Sequence, residues 1–264
     1  MKGNDGALLR SLAGFLVLAL PAAGEPRRFD QIPDLTQTEV KGDAHGDGQQ
    51  YCGPVAVSNS LSWLALQRRG GRDAPVDQHD QQLEMVRKLA SPGYMNTSLE
   101  DGSGTSDILR GVDRLARELF DGYASLSYQG WRKHPRSFST GIEEPQLRWI
   151  LDGVGDASAA WLNIGWYRYE AAKDEYHRFG GHWVTLVGFE NNRLVIHDPS
   201  PRAGLAFAND FVAFRRLNTG RLTGSKAGLP RSARGFLVLT DGLHQKRGAD
   251  AAILDGVVVL HLDP

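Results

Sequence analysis

Apolar residues in the first half of the chain recur every three or four positions, which is the period of an amphipathic α-helix. Val57, Leu61 and Leu64 follow this spacing and predict a helix over residues 54–69. Another helix is predicted from Thr105 onwards, where this threonine or the serine after it would cap the helix. Together, the repeats predict further helices over residues 78–89, 105–120 and 144–151.

In the second half of the chain the pattern changes to runs of β-branched and aromatic residues, which are typical of strands. Asn191 and Asn192 stand between two of these runs and indicate a tight hairpin turn. Helices followed by mainly antiparallel strands predict an α+β fold. No stretch resembles a linker, so residues 25–264 are predicted to form a single domain. The predicted strands cover residues 159–167, 182–189, 193–197, 211–216, 235–239 and 257–262.

The N-terminal segment has the pattern of a secretory signal peptide. Lys2 and Arg10 supply positive charge, residues 12–20 form a short apolar run, and small residues follow up to Gly24. The apolar run is too short to span a bilayer as a helix of the mature protein. We therefore expect residues 1–24 to be removed, which leaves no integral membrane segment and predicts a secreted or periplasmic protein. The alternative is a buried N-terminal helix.

Composition places the chain among ordinary globular proteins. Its 264 residues are 41% hydrophobic and 23% charged, and the formal net charge is −1. This balance supports a sizeable core and supplies no positive field for nucleic acid or for an anionic membrane surface. Asp43, His45 and Asp47 alternate in a glycine-rich stretch, but the stretch lacks the ligand spacing of a calcium loop. We predict a solvated loop there and no metal site.

The chain contains one cysteine, Cys52, which is followed by Gly53 and Pro54. Exported proteins usually pair their cysteines as disulfides, so a single cysteine is either a reactive thiol or a small buried side chain. Pro54 suits the first turn of the predicted helix, because the N–H that proline lacks has no partner there. Cys52 would then stand at or beside the N-cap, where the helix dipole favours a thiolate.

Two residues far downstream complete a pattern that is typical of thiol enzymes. His182 opens a predicted strand directly after Gly180 and Gly181, and Asp198 follows the next strand. An imidazole at a strand end can act first as the base and later as the acid for a thiol at a helix start. A carboxylate that accepts the second ring N–H would hold that imidazole in position. His197 is a weaker candidate for the base, because alternation along the strand points it away from Asp198.

Three short motifs carry a resemblance to a known family: Cys-Gly-Pro at residues 52–54, Gly-His-Trp-Val at 181–184 and His-Asp-Pro at 197–199. In this order they resemble the bacteriocin-processing branch of the papain-like cysteine peptidases, which includes double-glycine leader peptidases and their free-standing relatives. The resemblance implies a papain-like fold, with N-terminal helices packed on a mainly antiparallel sheet. It also implies a Cys-His-Asp catalytic triad, a peptide or peptide-like substrate and no cofactor. No transporter segment accompanies the motifs, so processing coupled to export is not implied.

The resemblance also implies an oxyanion-hole glutamine upstream of the cysteine, and here the sequence departs from the family pattern. Gln49 and Gln50 are too close to Cys52 to fold back over the sulfur. Gln37 is the next candidate upstream, and the glycine-rich stretch after it would form the longer loop that such a placement needs. We predict Gln37 as the oxyanion-hole side chain, with Gln50 or an unidentified donor as the alternatives.

Taken together, the residues predict an exported thiol hydrolase that cleaves an amide bond through an acyl-enzyme. Two other functions stay open, namely an acyltransferase that uses the same triad and a non-catalytic binding module on a peptidase scaffold. Each site residue also has a purely structural alternative. His182 would then be a packed core histidine, and Asp198 would serve only the turn that precedes Pro199.

Overall fold

The structure is a computed structural model that describes residues 28–40, 47–70, 75–203, 209–224 and 229–263. The predicted signal peptide, residues 1–24, lies outside the described residues, as does most of the predicted loop over residues 42–48. Within the described ranges, none of the helices is both long and apolar enough to cross a membrane.

The helices precede most of the strands along the chain, as the periodicity predicts. The longest, α2, is buried along nearly its whole length between Gly53 and Leu64, in keeping with its largely apolar sequence. Its neighbour α4 is amphipathic and buries one face, which includes Ile108 and Val112. The helices are α1 (Arg28–Gln31), α2 (Cys52–Arg68), α3 (Pro75–Ala90), α4 (Thr105–Phe120) and α5 (Leu147–Asp152).

The strands form one sheet that is almost wholly antiparallel. They are β1 (Ser125–Gly130), β2 (Ser158–Glu170), β3 (Glu175–Glu190), β4 (Arg193–His197), β5 (Asp210–Val212), β6 (Phe214–Arg216), β7 (Arg221–Thr223), β8 (Arg231–Ser232), β9 (Leu237–Leu239) and β10 (Ala251–His261). The order across the sheet is β5-β4-β3-β2-β10-β9-β6, while β1 also pairs with β10 and β7 with β3 and β8. Among the described pairings, β3 with β7 is the parallel one. Helices beside a mainly antiparallel sheet confirm the α+β class.

The long antiparallel hairpin of β2 and β3 forms the middle of this sheet. Successive side chains of a strand point to opposite faces, so the hairpin contributes to two apolar clusters. Trp161 and Trp183 pack with α2 and α4 on one face. Leu162 and Val184 belong to the cluster on the other face, against which part of α5 packs. Helices α2 and α4 therefore lie on the face that carries the two tryptophans, and α5 lies on the opposite face.

Several predicted boundaries differ from the structure. α2 begins at Cys52, before the predicted start at residue 54, so Cys52 is the first helical residue and Tyr51 the N-cap. Gly104 caps α4, whereas Thr105 lies inside the helix and accepts a hydrogen bond from the Asn163 side chain at 3.2 Å. The threonine hydroxyl is thereby used between helix and sheet and not as a cap.

The predicted strand over residues 211–216 is two strands that separate at Ala213. The N–H of Ala213 donates to the Asp241 carbonyl, and its own carbonyl accepts the N–H of Thr240. These bonds turn the chain from the β4 edge of the sheet towards β9. The predicted hairpin turn is confirmed, because Asn191 and Asn192 have φ of 50° and 59°, as a type I′ turn requires at both central positions.

Candidate functional site

Cys52 stands at the end of α2 that meets the sheet, and its side chain is half-buried. Two hydrogen bonds fix this first turn of the helix to the central hairpin. Trp161 Nε1 and Thr185 Oγ1 both donate to the carbonyl oxygen of Ala56, at 3.0 and 2.7 Å. Because both donors are buried, this carbonyl sets where the helix starts relative to β2 and β3.

His182 and Asp198 meet because their strands are neighbours. His182 lies in β3, Asp198 follows β4 directly, and β3 pairs with β4 in an antiparallel register. His182 Nε2 lies 2.5 Å from Asp198 Oδ1. The same carboxylate oxygen accepts the backbone N–H of Ser200 at 2.9 Å. The two side chains are 6% and 0% exposed, so a short, charge-assisted hydrogen bond holds the imidazole in one orientation.

The surroundings of Cys52 lower the pKa of its thiol below the ordinary value of 9.0. Burial by itself raises this pKa, because it disfavours the charged thiolate. The hydrogen bond with His182, the positive charge of that ring and a hydrogen bond from the Trp183 backbone together outweigh burial, while the more distant charge of Asp198 acts against them. The net effect favours the thiolate.

The pKa of His182 is raised to about 10. Burial acts in the opposite direction, but the charge and hydrogen bond of Asp198 and the hydrogen bond with the Cys52 sulfur outweigh it. Burial also acts to raise the pKa of Asp198, yet the charge and hydrogen bond of His182 and the N–H of Ser200 bring it below its ordinary value. All three groups are therefore favoured in their charged forms, as a thiolate, an imidazolium and a carboxylate.

The imidazole has a further neighbour, which no motif in the sequence indicates. The ring of Trp166 stacks on that of His182, with centroids 6.2 Å apart and planes inclined by 23°. Since Asp198 engages Nε2 of the ring, Nδ1 is the nitrogen that remains for the sulfur. The sequence signal for Trp166 is weak, because a tryptophan in a buried strand is ordinary core composition.

Gln37, the predicted oxyanion-hole residue, lies between the two segments that carry Cys52 and Asp198. Its backbone N–H donates to the Pro199 carbonyl at 2.8 Å. Its side-chain nitrogen donates to the Gln49 carbonyl at 2.6 Å. The residue is buried. An amide nitrogen carries two hydrogens, so one donor remains after the bond to Gln49, and the assignment of Gln37 stays a prediction.

The two weaker candidates lie elsewhere. The backbone carbonyl and side chain of Gln50 lie against Gly102, in the loop before α4. The ring of His197 is buried between the Pro33 carbonyl, at 3.1 Å, and Asn209 Oδ1, at 2.8 Å. Burial lowers the pKa of His197 more than these hydrogen bonds raise it. His197 therefore joins the N-terminal segment to β4 and does not contact Asp198 through these bonds.

Among the described residues, one group has the spacing of metal ligands. Glu170, Glu175 and His177 lie near the tip of the β2–β3 hairpin. Lys173 already pairs with Glu170 at 2.9 Å, and Arg221 pairs with Glu175 at 3.1 Å. These cations neutralise both carboxylates, so the group forms an ion-pair network and is not assigned as a metal site.

The site thus holds a thiol and an imidazole in contact, with a carboxylate behind the imidazole, which is the constellation for nucleophilic attack on a carbonyl. No family model matches the chain, and neither curated proteins nor solved structures include a match to it. What the protein does is therefore inferred from its own residues.

Proposed function

We propose that this protein is an exported thiol hydrolase with a papain-like fold, similar to the bacteriocin-processing cysteine peptidases, that cleaves an amide bond in a peptide or peptide-like substrate. One observation carries the proposal. The Cys52 thiol at the start of α2 hydrogen-bonds His182, whose other side lies 2.5 Å from the buried carboxylate of Asp198. A helix N-terminus and an adjacent imidazolium both stabilise a thiolate. The N-terminal signal-peptide pattern supports export.

In the first half of the proposed reaction, the Cys52 thiolate attacks the carbonyl carbon of the substrate and the carbonyl electron pair becomes an oxyanion. The tetrahedral intermediate then collapses and the C–N bond breaks. His182 gives its proton to the leaving nitrogen at this step. The products are a thioester on Cys52 and a free amine, while Asp198 keeps the imidazole aligned throughout.

In the second half, water replaces the amine. Neutral His182 removes a proton from the water, whose oxygen attacks the thioester carbonyl. Breakage of the C–S bond releases the carboxylic acid and restores the Cys52 thiolate beside an imidazolium. Since the proton lost by His182 in the first half is regained here, no other acid or base is needed.

The oxyanion requires hydrogen-bond donors that are in place before the reaction. The first N–H groups of an α-helix have no partner within the helix, and Cys52 is the first residue of α2. Its own N–H is thus one proposed donor. The second is the side-chain nitrogen of Gln37, which the Gln49 carbonyl orients at 2.6 Å.

A thiol-directed peptide probe tests the proposal. A peptidyl acyloxymethyl ketone is expected to label wild-type protein at Cys52 with a one-to-one mass shift, because thiolate attack displaces its leaving group. Cys52→Ala should show no labelling, and His182→Ala should label far more slowly. His177→Ala removes a histidine from the hairpin tip and serves as the matched control, with wild-type labelling expected.

Turnover of a mixed fluorogenic peptide library then separates the candidate functions. Release of fluorophore by wild type and not by Cys52→Ala supports a hydrolase. Product that carries an added amine in place of water supports the acyltransferase. Slow labelling of Cys52, equal in wild type and His182→Ala, would mean an ordinary thiol and would leave only a binding role.

A further inference from the structure

A buried ion pair lies on the helix-facing side of the sheet, against Gly181, the residue that precedes the proposed catalytic histidine. Arg178 Nε donates to Asp255 Oδ2 at 2.5 Å, and Asp255 is fully buried. The pair crosses two paired glycines, Gly165 of β2 and Gly181 of β3. A Cβ on Gly181 would lie 2.3 Å from Arg178 Nη2, and one on Gly165 would lie 2.5 Å from Asp255 Oδ2. The absent side chains are what make room for the ion pair.

The carboxylate of Asp255 already accepts hydrogen bonds from three donors of the protein itself. Trp131 Nε1 donates to its Oδ1 at 2.9 Å, and the Tyr167 hydroxyl donates to the same oxygen. Arg178 takes the other oxygen. With three donors, one of them charged, the carboxylate needs no further partner.

Arg132 adds a second positive charge to this cluster. Its guanidinium carbon lies 5.3 Å from the ring of Trp131. Nη1 of Arg132 is buried and hydrogen-bonds no atom of the described residues. Burial lowers the pKa of Arg132, and the nearby charge of Arg178 lowers it further. Two arginines therefore face one carboxylate whose oxygens are engaged, which leaves one net positive charge and one buried donor without an acceptor.

The cluster is close to the sulfur of Cys52. Gly181, on which Arg178 lies, is exposed and directly precedes His182. Gly181 and Trp183 project from the same face of β3, about 7 Å apart. The backbone of Trp183 hydrogen-bonds the Cys52 sulfur. A substrate group that binds beside Arg178 would thus belong to a residue one or two positions along the peptide from the carbonyl that the thiolate attacks.

On the basis of the proposed hydrolase, we propose that Arg132, together with Arg178, forms a subsite for a carboxylate of the peptide substrate, next to the bond that is cleaved. A carboxylate matches the planar donor pairs of arginine and supplies the charge that Asp255 does not. Because Gly181 has no side chain and is exposed, the substrate backbone can approach β3 closely there. The carboxylate belongs either to an acidic side chain or to the C-terminus of the peptide.

Two small alkylating agents test for this charge without a known substrate. Iodoacetate carries a carboxylate, whereas iodoacetamide is neutral and of nearly the same size. The ratio of their second-order rate constants at Cys52 is expected to fall about three- to fivefold in Arg132→Gln, because loss of one charge at roughly 10 Å in partly screened surroundings has an effect of that size. Arg132→Lys should keep most of the ratio, and Lys133→Gln, the exposed neighbour, should keep all of it.

Arg178 is unsuitable for the test, because its removal would leave Asp255 buried and unpaired. The rate with iodoacetamide alone reports whether the Cys52–His182 pair is intact in each variant. An unchanged ratio in Arg132→Gln, with rapid iodoacetamide reaction, would overturn the subsite and leave the hydrolase standing. Slow reaction of wild-type Cys52 with both agents would instead overturn the proposed hydrolase.

Protection experiments distinguish the two sources of the carboxylate. Tetrapeptides that differ only as Glu or Gln at one position, or as a free or amidated C-terminus, are tested for slowing of iodoacetamide alkylation. Protection by the Glu peptides alone identifies a side-chain subsite, and protection by the free C-termini alone identifies a terminal one. In either case Arg132→Gln should abolish the difference within the pair. Equal protection by charged and neutral members in wild type would contradict the proposal.

Discussion

The backbone N–H of Gln37 donates to the carbonyl of Pro199 at 2.8 Å. This bond places a residue from the N-terminal segment beside the turn that carries Asp198. The Gln37 side chain in turn reaches the Gln49 carbonyl, close to Cys52 in the chain. A single buried glutamine therefore connects the two segments that bear the nucleophile and the carboxylate.

Gln37→Ala is expected to lower kcat about a hundredfold or more, because loss of one oxyanion donor typically has an effect of that size. The matched variant Gln50→Ala should change kcat by less than about threefold, since Gln50 lies against Gly102. Steady-state kinetics on a fluorogenic peptide measure both. The unfolding midpoint in urea shows whether Gln37→Ala is still folded, and a folded variant with wild-type kcat would exclude Gln37 from the oxyanion hole.

The pH dependence of alkylation should reveal the thiolate–imidazolium pair. The pKa of Cys52 is lowered and that of His182 is raised to about 10. The pair is therefore charged above the lowered thiol pKa and below about pH 10. We expect the rate with iodoacetamide to rise below pH 9 and to change again near pH 10 as the imidazolium loses its proton.

His182→Gln should move the first transition upwards, because the hydrogen bond and the charge that lower the Cys52 pKa are both removed. His177→Gln should leave it in place. A first transition near pH 9 in wild type, unmoved by His182→Gln, would show that the sulfur and the imidazole are not coupled.

Asp198→Asn is expected to lower kcat about 10²- to 10⁴-fold, the range over which positioned acid–base groups contribute. The transition near pH 10 should also move to lower pH, because the charge of Asp198 is the largest effect that raises the His182 pKa. Asp241→Asn, an exposed aspartate, is the matched control. A variant that loses kcat while keeping the transition near pH 10 would show that Asp198 does not act through the charge of His182.

Gly53→Ala tests the packing behind the nucleophile. An added Cβ would lie 2.7 Å from Ile108 Cδ1 and 3.2 Å from Ser103 Cβ. Overpacking of this kind typically costs about 1–3 kcal/mol of unfolding free energy. Ile108→Val removes the carbon that is closest, so the double variant should regain part of the stability relative to Gly53→Ala. Urea denaturation measures all three, and simple additivity of the two single changes would contradict the predicted contact.

Local patterns account for much of the fold. The spacing of apolar residues predicts α4 and its last residue, Phe120, and the bounds of β4 agree as well. The sequence pattern does not predict β1, because the segment Ser125–Gly130 is short and mixes serine and glutamine with few apolar residues. The pattern does not indicate the short strands β7 and β8 either, for a related reason. Their two or three residues are ordered by pairing with distant segments, which no local pattern records.

The order of Cys52, His182 and Asp198 along the chain resembles that of a known family and indicates all three residues, and the structure brings them together. The cluster of Arg132, Arg178 and Asp255 has no such signature. Its members come from separate segments, and each is an ordinary surface residue type. The pairing of β3 with β2, of β2 with β10 and of β10 with β1 brings the arginines beside one carboxylate. Tertiary pairing, and not local sequence, creates that cluster.

The Ala56 carbonyl, which binds α2 to both strands of the central hairpin, has a consequence for how the chain folds. A refolding intermediate in which β3 has paired with β4 but the helices have not docked would carry an imidazole already paired with its carboxylate and a sulfur of ordinary reactivity. Contacts between such remote parts of a chain are among the slowest to form. The time at which Cys52 begins to be alkylated rapidly during refolding therefore reports when the helices dock on the sheet.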